Sequence, residues 1–313
     1  MTAATSSRSN ITERANGPSH NRGRGARQTR RSRWILTIAA LTIVAYFLFP
    51  LWWLVIASTK SNADLFSSSG LWLAPHFNLW ANLTRVFTFN NGIFLTWLRN
   101  TVMYAVVAAL GSALLSALAG YALAKLRFRG RELAFSVILG AIMIPMTALA
   151  VPTYLLFAKI SLVNTPWAVI IPSLVSPFGV YLMRVYSADA VDRSLLESAR
   201  LDGAGELRIF LQIALRLLTP GLVTVLLFQL VATWNNYFLP LIMLSNTRWY
   251  PLTVGLSLWQ QTAGAAAAGS GSGPPLYPIV ITGSLVSILP LILAFLFLQR
   301  YWQSGLAAGS VKQ

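Results

Sequence analysis

The 313-residue chain contains no cysteine and only two histidines, His20 and His76, so disulfides and thiolate or imidazole metal sites are effectively excluded. Acids are scarce: eight Asp and Glu stand against 24 Lys and Arg, a formal charge of +16. Charged residues make up only 10% of the chain, far below the share of about a quarter seen in soluble proteins, whereas 56% is hydrophobic. No G-x-x-x-x-G-K-[ST] phosphate loop occurs, and the glycines from Gly269 to Gly273 are followed by no lysine, which argues against ATP binding of that kind. Asp and Glu gather in one stretch with no histidine near them, so no catalytic constellation is offered. A positive balance of this size also raises nucleic acid as a partner. Position argues against it: the bases border apolar runs, and no basic stripe interleaved with stacking aromatics stands apart from them.

What the chain does have is apolar length. Several charge-free runs exceed the ~18 residues that mark a transmembrane candidate. The hydropathy pattern predicts an all-α membrane protein with six transmembrane helices, at about 34–57, 101–124, 133–158, 167–183, 217–243 and 277–298. Residues 1–33 hold eight Arg, one Glu and almost nothing apolar, and read as a disordered basic tail before a membrane domain at 34–301. Arg30-Arg31 mimics a twin-arginine export signal, but the apolar run after it is too long and bulky, with no small-x-small cleavage site. Residues 58–98 carry Pro75 and several aromatics including Trp97, and suit the membrane interface. Residues 244–276 form a connecting loop with a flexible Ala/Gly-rich part at 264–275, and 302–313 a short tail.

Within the spans, Ala108, Ser112, Ser116 and Gly120 recur every four residues, a small-residue stripe that lets another helix approach closely. The third span carries Pro145 and Pro152, the fourth Pro172 and Pro177. A proline inside an isolated helix costs about 3 kcal/mol and frees a carbonyl that must be buried in protein or face a wet cavity. Kinks in a bundle and helices lining a pathway both account for them. Gln229, Thr233 and Asn236 share one face at i, i+4 and i+7, within a segment that includes Trp234, Asn235 and Tyr237. Such amides serve either as packing glue between helices, at ~0.6 kcal/mol each, or as the lining of a translocation path.

The stretch 194–220 is a polar island between apolar spans. Ser194 followed by Glu197 reads as a capping box, and Gly203 suits the left-handed residue that ends a helix. A helix over 195–202, a break, and a second helix running toward Pro220 are predicted. With the N-terminus inside, eight bases of the tail, four between Lys125 and Arg131, five in 184–216 and two after the last span face the cytoplasm, nineteen of the 24. That asymmetry obeys the positive-inside rule and places both termini and the polar island on the cytoplasmic side.

Glu197-Ser198-Ala199, then Gly203 after five residues, then Ile213-Ala214-Leu215 after nine more, resembles the E-A-A, G, I-x-L-P signature of ABC-importer permeases. Leu201-Asp202-Gly203-Ala204 supplies the usual filling; Ser198 stands for the first alanine and Arg216 for the proline. Ala122 to Gly130, Ser176-Pro177-Phe178, Trp234-Asn235 and the segment from Gln299 to Lys312 are similar to the carbohydrate-importer, maltose-permease-like branch, with Asn236 where many members have an acid.

The resemblance implies a type I ABC importer permease fold in a bacterial cytoplasmic (inner) membrane. It implies a second permease forming a heterodimer, two ATP-binding-cassette ATPase subunits, an extracellular solute-binding protein and a sugar as partners. ATP and Mg would sit on the ATPase, and this chain would bind no cofactor and no nucleic acid. Glu197, Ser198, Ala199, Asp202, Gly203 and Ile213 would couple to the ATPase through the loop at 184–216, and the loop at 244–276 would meet the binding protein. Gln229, Thr233, Trp234, Asn235 and Asn236 are candidates for the translocation path. No predicted span carries an ionisable residue in its interior, where ion-coupled transporters usually keep one despite a cost of about 2.5–3.5 kcal/mol or more. Energy from a separate subunit fits that pattern. The alternatives are the same fold carrying glycerol phosphate or a polyamine, or a membrane assembly subunit with no transport role.

Overall fold

The structure is a computed structural model that describes the backbone of residues 22–268 and 276–310 and the side chains of 33–268 and 276–299. The described residues are helical or irregular, with no strand. The chain divides into two compact units, Met1–Trp52 and Trp53–Gln313.

The first unit is carried by α1, Arg22–Ser58, whose side chains from Trp34 to Trp52 are all exposed. An apolar helix with no buried face is a membrane helix rather than a water-facing one. The helix begins at Arg22, inside the segment 1–33 expected to be disordered; residues 1–21 lie outside the described residues. Arg, Gln and Ala are good helix formers, so the helix of the apolar run propagates backward into the tail.

In the second unit, α2 (Asn62–Ser67) leads to α3 (Leu79–Lys125). α3 is kinked at Asn90, Asn91 and Gly92, whose φ angles of 50°, 56° and 72° are left-handed. Asn and Gly are the residues that adopt that conformation most readily. The interfacial segment expected at 58–98 is thus largely helical, and Trp97 is buried, its ring 4.9 Å from that of Trp259 and its Nε1 donating to the Thr247 carbonyl at 2.8 Å. Asn82 donates to the Ser58 and Lys60 carbonyls, each at 2.9 Å, closing the last turn of α1.

The third expected span is broken. α4 (Arg131–Ile142) and α5 (Ala150–Lys159) are separated by turns over 143–149, and neither is long enough to cross a membrane alone. Pro145 lies in the break, where it can offer no N–H to the helix. α6 (Trp167–Ser173) and α7 (Pro177–Ala190) form one long apolar segment with a break before Pro177. α8 (Arg193–Leu201), α9 (Glu206–Ile209), a π-helical turn (Phe210–Ala214) and α10 (Leu215–Leu217) follow. The axis then bends by 79° into α11 (Thr219–Trp234), so that Arg216 and Leu217 end the polar island and Pro220 opens the span.

α12 (Phe238–Met243) is short, and the 16-residue α13 (Leu252–Ala267) occupies the middle of the expected loop at 244–276. Leu252, Val254, Gly255, Trp259 and Ala263 of α13 are buried, which orders the helix through much of its Ala/Gly-rich end. Residues 269–275 lie outside the described residues. α14 (Tyr277–Ser310) is helical through most of the expected tail at 302–313. Among the described residues, four helices are long and apolar enough to cross a membrane, or five if the bent pair is one span.

The stripe of small residues works as expected. Ala108, Ser112, Ser116 and Gly120 are all buried. A Cβ on Gly120 would lie 2.6 Å from the Met183 Cβ, and one on Gly179 of α7 would lie 2.5 Å from the Ser116 Oγ, so α3 and α7 touch backbone to backbone.

Candidate functional site

The polar island folds as a small helix clamped to the bundle. Its N-cap is Asp192, whose side chain accepts from the Ser194 N–H at 3.1 Å, so the helix starts before the expected capping box. Ser194 lies inside the first turn, and its carbonyl accepts from the Ser198 hydroxyl at 3.0 Å. Aspartate and serine are both good N-caps, and the burial of Leu196 and Ala199 goes with the earlier start. That hydrogen bond from Ser194 holds the Asp192 carboxyl below the usual carboxylate range.

The C-terminus is a Schellman turn. Ala204 N–H donates to the Ala199 carbonyl and Gly203 N–H to the Arg200 carbonyl, each at 3.0 Å, with Gly203 at φ +80°. Arg200 Nε donates to Glu206 at 2.6 Å across the turn. Leu196 and Ala199 are buried against Tyr121, Ile209 and Phe210, which fixes the inner face of α8, and Ile213 packs half-buried against the same cluster. Glu197, Ser198, Asp202 and Gly203 are exposed. So are Leu201, at 89%, and Leu207, at 68%, on either side of the turn. Two isolated leucines held outward on a rigid turn are apolar surface without an internal partner.

A second feature lies in the bundle. A cavity of about 580 Å³ is lined by Gln229, Thr233, Asn235 and Asn236 together with aromatic and apolar side chains that include Phe178 and Tyr237. Gln229 Nε2 donates to the Ser173 carbonyl at 2.7 Å. Asn235 Nδ2 donates to the Val231 carbonyl at 2.9 Å, and the Asn236 carbonyl accepts from the Thr253 hydroxyl at 2.8 Å. The Gln229 amide is therefore both a tie between helices and cavity lining, whereas the Asn235 amide bonds within its own helix and Asn236 is tied through its main chain. Trp234 is turned away: it is 8% exposed and belongs to the cluster of Phe94, Trp97 and Trp259. Asn236 lies past the end of α11, so its place beside Gln229 comes from the turn into α12 and not from a continued helical face. Phe178 and Phe238 also line the cavity and were not among the expected path residues; Pro177, next to Phe178, was the available signal.

Residues 112–305, which include the Schellman turn, match the family described as binding-protein-dependent transport system inner membrane component. The chain belongs to this family. The arabinooligosaccharides transport system permease protein of Halalkalibacterium halodurans is 34% identical over 280 residues, covering 89% of this chain and 96% of that one. Its counterpart in Bacillus subtilis is 32% identical over 282 residues, covering 90% of this chain and 96% of its own. Among solved structures, a bacterial ABC transporter that imports the acidic polysaccharide alginate superposes with a TM-score of 0.73 at 26% identity, over 91% of this chain and 100% of that chain. Members of the family are multi-pass inner-membrane components of importers, which translocate substrate and carry out no catalysis themselves.

Proposed function

We propose that this protein is the permease subunit of a bacterial ATP-binding-cassette importer, translocating a sugar or oligosaccharide handed over by an extracellular solute-binding protein. The family and the saccharide transport of its relatives support that role. Six crossings are assigned, by α1, α3, α4 with α5, α6 with α7, α9 to α11, and α14, with both termini in the cytoplasm. Nineteen of the 24 bases then fall inside, in keeping with the positive-inside rule.

The observation that carries the coupling role is α8: a polar helix anchored by Leu196 and Ala199 and ended by Gly203, with Leu201 89% exposed beside Glu197, Ser198 and Asp202. A rigid, membrane-anchored knob with an apolar tip is suited to a socket on another subunit. Closure of a pair of ATPase subunits, which hold ATP and Mg, would move α8 as a body. Through Tyr121, Phe210 and Ile213 the motion reaches α3 and α11, and α11 lines the cavity. A second permease completes the path. Gln229, Thr233, Asn235 and Asn236 offer hydrogen bonds and Phe178 and Tyr237 offer ring faces, the two kinds of contact that a saccharide uses. The cavity lining includes no charged side chain, which favours a neutral solute over glycerol phosphate or a polyamine.

The test is ATP hydrolysis in proteoliposomes holding this chain, its partner permease, the ATPase and the binding protein. A neutral oligosaccharide should stimulate hydrolysis in wild type and not in Gly203→Pro or Glu197→Lys. Stimulation that survives both changes in an assembled complex removes α8 from the coupling path.

A further inference from the structure

We infer that the loop between α3 and α4, together with the start of α8, forms a binding pocket for the phosphate head group of an anionic phospholipid. The pocket, of about 450 Å³, is lined by Arg127, Arg131 and Arg193 with Phe128, Gly130, Glu132 and Leu133. The three arginines come from three separate elements: the loop, the first residue of α4 and the first residue of α8. Tertiary folding therefore converges three like charges on one concavity, which raises their mutual repulsion unless an anion sits among them.

Of the three, only Arg131 is paired with an acid among the described residues. Glu132, itself in the lining, is engaged by Arg131 at 2.7 Å and by Arg184 at 2.9 Å, which leaves Arg127 and Arg193 without it. The Asp192 carboxylate accepts from the Ser194 N–H and keeps its charge, which also acts on Lys125. Among the described residues, Arg127 and Arg193 make no ion pair, and both are exposed. Arg129, also exposed, adds a fourth positive charge on the same short loop. α4 opens on the pocket with Gly130 as its N-cap and no side-chain cap, so its first-turn N–H groups add to the positive potential. Guanidinium groups match phosphate oxygens in a bidentate fork, so the chemistry offered is that of a phosphate monoester or diester.

The rim decides between a lipid and a free phosphate. Phe128 is 48% exposed and Leu133 is 71% exposed, and Leu133 continues into Val137, 64% exposed, one turn further along α4. A basic pocket opening onto an outward apolar strip of a membrane helix fits a head group with acyl chains attached. Basic pockets on the cytoplasmic side of membrane helices are a recurrent form of lipid site. Only the choice of leaflet rests on the topology proposed above; the binding measurement below does not depend on transport.

The full chain, purified in an uncharged detergent, is titrated with dioleoylphosphatidylglycerol or dioleoylphosphatidylcholine and the bound lipid is counted by native mass spectrometry. Wild type is expected to hold the glycerol lipid at least about tenfold more tightly, and Arg127→Gln with Arg193→Gln to weaken it by roughly fivefold per arginine. Arg85→Gln, on the far part of α3, should change nothing. Arg127→Lys with Arg193→Lys, which keeps the charge, should retain an intermediate affinity and guards against a misfolded glutamine variant. Equal retention of the two lipids, or an unchanged affinity in the glutamine variant, overturns the site. If sodium phosphate or glycerol 3-phosphate at millimolar concentration binds there while lipid selectivity is absent, the ligand is a free phosphate and the lipid assignment fails. If the glutamine variant loses its ATPase partner in a pull-down with lipid retention intact, the arginines serve a protein contact and the proposal is likewise overturned.

Discussion

The side-chain amide of Gln229 donates to the carbonyl of Ser173 at 2.7 Å, and the residue four positions beyond Ser173 is Pro177. A helix would satisfy that carbonyl with the N–H of residue 177, which proline lacks. Gln229 replaces the missing donor from a neighbouring helix, so the break between α6 and α7 is held by α11. The pairing places the break at the edge of the cavity that Gln229 and Pro177 both line.

Gln229→Leu should remove the donor and leave the Ser173 carbonyl buried without one. The expected loss is about 1–2 kcal/mol, the range for an orphaned polar group and for hydrogen bonds between membrane helices. It would be read as a lower midpoint of thermal unfolding in detergent. Gln229→Met keeps the length and has no donor in any protonation state, so a midpoint equal to wild type would show that the hydrogen bond contributes nothing.

Gly120→Ala should push α3 and α7 apart. The new methyl would meet the Met183 Cβ and the Arg184 backbone nitrogen at 2.6 Å each, neither of which can rotate away. An overpacked contact of that kind costs about 1–3 kcal/mol. Cysteine pairs introduced across the two helices should cross-link more slowly in the variant. An unchanged cross-linking rate and unfolding midpoint would mean that the backbones are not in contact.

The cap at Asp192 should respond to acid. The Ser194 N–H holds its folded-state pKa below the ordinary value, so the cap's contribution is fully present above the unfolded pKa, about 4, and is lost as pH falls through the lower folded value. Exchange of the Ser194 amide hydrogen should accelerate on that acid limb in wild type. Asp192→Asn keeps the acceptor but does not titrate, and its exchange should lack the extra acid-limb acceleration. A wild-type profile identical to that of the Asp192→Asn variant would remove the carboxylate from the cap.

Leu201→Glu separates stability from docking. At 89% exposure the side chain has almost no internal contact, so the unfolding midpoint should correspond to a change within about 0.5 kcal/mol. Capture of the partner ATPase should nevertheless fall, because the charge would be taken into an apolar socket. Undiminished capture would show that the outward leucine is not part of that contact.

Legibility followed the range of the interactions involved. Gly203 at φ +80° and the Schellman turn were readable because capping chemistry is decided within six residues. The stripe from Ala108 to Gly120 was readable for a similar reason: four-residue spacing dictates a face whatever lies opposite. The cap itself was misplaced by two residues. Asp192 and Ser194 are both good N-caps, and the choice between them depends on where Leu196 and Ala199 must point to reach Tyr121 and Phe210.

Composition failed where burial overrode it. The Ala/Gly-rich end of 244–276 has the residues of a flexible linker, yet α13 persists to Ala267 because Trp259 and Ala263 are packed among Phe94, Trp97 and Ile279. Trp97 looked like an interfacial aromatic for want of any sign of Gly255, where a Cβ would come within 2.2 Å of its ring. In the apolar run at 133–158, Pro145 and Pro152 signalled a kink without saying where the helix would end; the break falls at Pro145, and Pro152 is taken into the first turn of α5.

The sequence by itself determined the membrane class, the spacing from Glu197 through Gly203 to Ile213 that resembles the family signature, and the left-handed end of α8, because hydropathy, spacing and backbone preference are properties of a few neighbouring residues. Only the tertiary structure decided which amide meets the Ser173 carbonyl, that Trp234 faces the core and not the cavity, and that Arg127, Arg131 and Arg193 share one pocket. Those pairings join residues dozens of positions apart, and they are selected by which buried groups need a donor and which charges the fold can leave facing solvent or lipid.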